Sequence, residues 1–94
     1  MNDHLLLTLT NKTSSALADL EAMTAERFTS RELRLEQGQH EEAFDFIMDH
    51  LSYEEGPHAM WVSLKHEGKR RRAILSFEYS RDLGVEGVRF TVKR

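Results

Sequence analysis

The chain has 94 residues, 39% of them apolar and 31% charged, with one proline, no cysteine and a net charge of −3. That length bounds one domain with one core, and the composition is that of a soluble globular chain. It excludes disulfides, thiolate metal sites and cysteine nucleophiles, and the lack of cysteine fits a reducing cytoplasm.

Charge is distributed unevenly along the chain. Residues 1–57 hold 4 Lys/Arg against 12 Asp/Glu, whereas residues 58–94 hold 9 against 4. Such asymmetry between halves points to charged partners, with mutual neutralisation inside one fold as the alternative.

The opening "MNDHLLLTLTNK" has an acidic leading charge and no small-residue cleavage pattern, so no signal peptide is expected. No apolar run approaches the roughly 20 residues that cross a bilayer, so no membrane association is expected. Leu5, Leu7 and Leu9 alternate as a strand over residues 4–10 would, while Leu5, Leu6 and Leu9 continue the phase of the helix that follows. Thr-Leu-Thr-Asn favours the strand on propensity. Residues 13–28 read as a helix capped by Thr13 or Ser14, with Ala16, Leu17, Leu20, Met23 and Phe28 on one side. Residues 31–37 stay open. Leu33 and Leu35 alternate with Glu32, Arg34 and Glu36 as in a short strand, yet Ser30 and Glu32 before Gly38 also suit a short helix.

A second helix is expected over residues 39–53, with Phe44, Ile47, Met48 and Leu51 as its apolar stripe and Gly56-Pro57 as its stop. Glu41, Glu42, Asp45 and Asp49 then form an acidic outer face. After Pro57 the period changes to two, giving strands at residues 58–66, 70–79 and 87–93. The fold class expected is therefore α+β: two helices packed on a C-terminal three-stranded antiparallel sheet, whose Met60, Val62, Leu75, Phe77, Val88 and Phe90 side meets one or both of them.

Alternation also selects the register of the first hairpin. A turn centred on Glu67-Gly68 pairs Val62 with Ala73, Met60 with Leu75, Trp61 with Ile74, Ser63 with Arg72 and Lys65 with Arg70. A three-residue loop would mix polar residues into the apolar face. Trp61 and Ile74 thus fall on the face away from the core, an apolar island among Lys65, Arg70, Arg72 and Arg89. The N-terminal segment or a second copy of the chain in a homodimer could cover it.

No catalytic, metal or cofactor site is expected. His40 and His50 are ten apart, His58 and His66 eight apart, and neither spacing is His-Glu-x-x-His. His50 and Glu54 would stand one helical turn apart, an ordinary surface pair. "HEGKRRR" lacks the pattern of a phosphate loop. Residues 13–79 resemble a winged-helix layout, with Leu33, Gly38, Phe44 and Ile47 in suitable places. Gln37 and Gln39 depart from it, and Glu41, Glu42, Asp45 and Asp49 would repel phosphates.

Two function classes remain. A non-catalytic regulatory or inhibitory module would bind a protein partner through the Trp61 face, the acidic helix, or both. A nucleic-acid binder would use the basic hairpin 65–72, with Trp61 for stacking.

Overall fold

The computed structural model describes residues 6–11, 14–25, 30–66 and 68–93. Seven elements follow one another: β1 Thr8–Asn11, α1 Ser14–Ala25, β2 Ser30–Glu32, α2 Gln37–His50, β3 Gly56–His66, β4 Lys69–Ser80 and β5 Gly84–Lys93. The strands form one five-stranded sheet in the order β1-β3-β4-β5-β2, and every neighbouring pair is antiparallel. The α+β class is as expected, with short edge strands added on both sides of the C-terminal meander.

Because side chains alternate across a strand, the sheet has two chemically distinct faces, and each carries one helix. On the first, Met60, Val62, Leu64, Ala73, Leu75, Phe77, Phe90 and Val92 pack with Ala43, Ile47 and Leu51 from α2 and its end. On the second, Ala59 and Ile74 pack with Ala16 and Met23 of α1, with Leu17, Leu20 and Trp61 half-buried around them. Ala73, Ile74 and Leu75 are consequently buried in succession. Of the two arrangements expected, one helix or both on the Met60 face, the structure has one: α2 meets that face and α1 covers the other.

The β3–β4 register is the one that alternation selects. Val62 faces Ala73, Met60 faces Leu75, Trp61 faces Ile74 and Lys65 faces Arg70. Gly68, with φ +76, supplies the left-handed position of the tight turn. Glu67, its expected partner in the turn, lies outside the described residues, as do Thr13, Phe28 and residues 4–5.

β5 begins at Gly84, three residues earlier than periodicity marks it. Ser76 pairs with Arg89 but Glu78 with Glu86, so Gly87 and Val88 together oppose Phe77. Gly87 has φ +64, the conformation a glycine-initiated bulge requires. The extra residue resets the alternation, so that Val85 and Val88 both reach the α2 side. At the N-terminus the strand reading holds for Thr8–Asn11, and Leu7 and Leu9 pack on that same core.

Residues 31–37 are not a helix. Ser30–Glu32 pair with β5, and the next residue continues the ladder, the Leu33 N–H donating to the Phe90 carbonyl at 2.8 Å. This strand, together with helices on opposite faces of the sheet, rules out the winged-helix layout. α2 starts two residues before its expected first turn because Gln39 closes that end: its Oε1 accepts the Glu36 N–H at 2.8 Å, which explains a glutamine left only 2% exposed. It ends at His50, three residues early. Leu51 is already extended at ψ 132, and Tyr53 takes φ +61.

Candidate functional site

The large apolar residues of α2 divide between an inward and an outward side. At about 100° per residue, Gln39, Ala43, Phe46, Ile47 and His50 share one side, and these are the residues buried or half-buried against the sheet. Phe44 and Met48, expected in the core, stand on the other side, 46% and 38% exposed. Glu41, Asp45 and Asp49 are exposed beside them. The five residues fall at i, i+3, i+4, i+7 and i+8, one continuous outward stripe. Glu42 is half-buried at its margin. Ala43 is the residue whose inward position periodicity underweighted. A methyl group contributes little to an apolar stripe, yet it is what permits close approach to the sheet.

The second expected site is rearranged by α1. Ile74 is 0% exposed beneath this helix, and Trp61 is half-buried, so the apolar island is covered from within the chain. The cover is α1, where the N-terminal leucines or a second copy had been expected. The Trp61 indole N–H donates to Asp19 Oδ2 at 3.0 Å, which ties strand to helix. Arg72 lies over the indole with its guanidinium carbon 4.4 Å from the ring centroid, a cation–π contact. Both the edge and one face of the tryptophan are therefore engaged.

Lys65, Arg70 and Arg72 remain exposed together on this side, since Lys65 faces Arg70 and Arg72 faces Ser63. Arg89 is separate from them. It pairs with Ser76, and it lines an open groove of about 280 Å³ between α1 and the sheet with Leu17, Leu20, Pro57 and Glu78. Glu41, Asp45 and Asp49, carried on α2, lie on the opposite side of the sheet from all of these cations.

Two histidines serve local packing, while His40 is exposed. His50 Nδ1–H donates to the Phe46 carbonyl at 2.9 Å, and the two rings lie 4.3 Å apart. His58 stacks on Phe77 at 5.2 Å and its Nε2–H donates to the Glu54 carbonyl. Glu54 lies beyond the end of α2 at His50, so the two do not stand one turn apart on a single helix as expected. Among the described residues no group of three or more His, Asp or Glu side chains could hold a metal ion. No helix among them is long and apolar enough to cross a membrane.

Comparison of the chain with family models, curated proteins and solved structures yields no match.

Proposed function

We propose that this chain is a small non-catalytic module, regulatory or inhibitory in role, that binds a protein partner through the outward face of α2. The observation that carries this reading is the exposed Phe44–Met48 pair set among Glu41, Asp45 and Asp49. Single exposed apolar side chains are ordinary. Two large ones a helical turn apart, flanked by Glu41, Asp45 and Asp49, offer a partner groove two apolar anchors with an acidic rim. Phe44 and Met48 keep 46% and 38% of their area in water, apolar surface that a partner would cover.

Charge complementarity defines the partner. An apolar pocket for Phe44 and Met48, rimmed by lysine or arginine, would desolvate the aromatic ring and leave the carboxylates at a solvated edge. There they steer association more than they strengthen it. Trp61 has a different part in this scheme. It holds α1 on the sheet and so supports the platform without touching the partner.

Site-specific photo-crosslinking in cells tests this reading. A benzophenone amino acid replaces Phe44, Met48 or, as a control in the β4–β5 turn, Leu83, which is 69% exposed. The same discrete protein should cross-link from positions 44 and 48 and not from 83. Identical patterns from all three positions would reduce the α2 stripe to ordinary surface.

A further inference from the structure

The β3–β4 hairpin runs past its neighbours. Among the described residues, β1 pairs with β3 as far as Ser63, and β5 pairs with β4 as far as Ala73. Beyond these points a two-stranded ribbon continues, its base fixed by buried Leu64 and by Arg72 resting on Trp61. Residues 65–72 hold five cations against one acid. By strand alternation Lys65, Arg70 and Arg72 point to the α1 side of the ribbon and Lys69 and Arg71 to the other. Lys65 directly opposite Arg70 is a like-charge pair that costs the fold stability. Packing does not call for it.

We infer that this ribbon is a site for double-helical DNA, entered through the major groove. The B-form major groove, about 12 Å wide, admits a two-stranded ribbon and places phosphates on both sides of it. Cations on both ribbon faces suit such a slot, whereas a flat acidic protein surface could meet only one of them. The A-form major groove of duplex RNA is too deep and narrow for side chains to read. Bases of a single strand would need a free aromatic ring, and the Trp61 ring is already held by Arg72 and Asp19.

The chain's net charge of −3 does not oppose this. Glu78 and Glu86 face one another at the far end of the sheet, and Glu55 stands nearby. At roughly 3.3 Å per residue, the eight residues from Arg70 to Glu78 span about 26 Å, several times the Debye length of about 8 Å at physiological salt. These three acids are screened from the cations of the ribbon, while Asp19 beside Trp61 is the acid nearest its base.

Fluorescence anisotropy of the full chain with a labelled 20-base-pair mixed-sequence DNA duplex tests the inference. Duplex RNA, single-stranded DNA and polyglutamate serve as competitors. Four to five phosphate contacts predict a log–log salt slope of about −4, a loss of roughly 10²–10³-fold in affinity between 50 and 200 mM NaCl. Lys69→Gln and Arg70→Gln, on opposite ribbon faces, should each lower the slope by about 1, and Arg89→Gln should leave it unchanged. Unchanged melting curves would confirm that the variants fold. No binding at 50 mM NaCl, loss from Arg70→Gln alone, or preferential displacement by polyglutamate would each overturn the DNA assignment.

Discussion

Replacing Trp61 by alanine separates a structural tryptophan from an exposed anchor. The side chain sits half-buried among Ala16, Leu17, Leu20, Met23, Ala59 and Ile74, and its N–H holds Asp19 of α1. Truncating a buried tryptophan costs about 3–5 kcal/mol, and the low end, about 3 kcal/mol, applies to a ring that still reaches solvent. A chain of this length has a total stability of roughly 5–14 kcal/mol. At about 4–8 °C per kcal/mol for domains of this size, the melting temperature should fall by about 12–24 °C. Trp61→Phe keeps most of the packing and loses the indole N–H, so it should cost only about 1 kcal/mol. Scanning calorimetry on the three proteins, with near-ultraviolet circular dichroism to confirm tertiary structure, measures both steps. A fall of less than about 4 °C for Trp61→Ala would refute the account of α1 as a packed cover.

Further consequences concern α2 and the glycines. Ile47→Ala, at a 0% exposed position, should destabilise by about 2–5 kcal/mol. Phe44→Ala, at 46% exposure, should cost about 1 kcal/mol, and urea titration that finds equal costs would mean that the helix faces are assigned wrongly. Gly87→Ala forces a side chain into φ +64, although nothing lies within 4 Å of the added carbon, and should cost about 1–2 kcal/mol from the backbone alone. Gly38→Ala, in α2 with equally open space around it, should stabilise by up to about 1 kcal/mol. A shift of the same sign at both glycines would contradict the bulge.

The hairpin was readable because both of its strands obey a strict period of two, and a one-residue slip would have turned Met60 or Leu75 towards solvent. The faces of α2 were not, because Phe44 and Met48 outweigh Ala43 in any reading by hydrophobicity, although the small residue marks the buried side. The α1 cover escaped notice for a related reason. Among the described residues, the second sheet face sets Ala59, Trp61 and Ile74 against α1, a pattern that an open functional face would also show. In β5 the extra residue at Gly87 places odd-numbered Val85 on the same face as even-numbered Val88, and no fixed period can express that change. Of the candidate site residues, Lys65, Arg70 and Arg72 were legible as a group through the hairpin register. Arg89 was not separable from them without the bulge and the groove beside α1.

The affinity of the wild-type chain and of Phe44→Ala/Met48→Ala for the recombinant protein cross-linked from positions 44 and 48 tests the central claim most directly. Titration calorimetry at matched salt should show the double variant folded and at least tenfold weaker, as expected when an apolar anchor worth more than about 1.4 kcal/mol is lost. Equal dissociation constants for the two proteins would contradict the claim that the outward stripe of α2 is the binding surface.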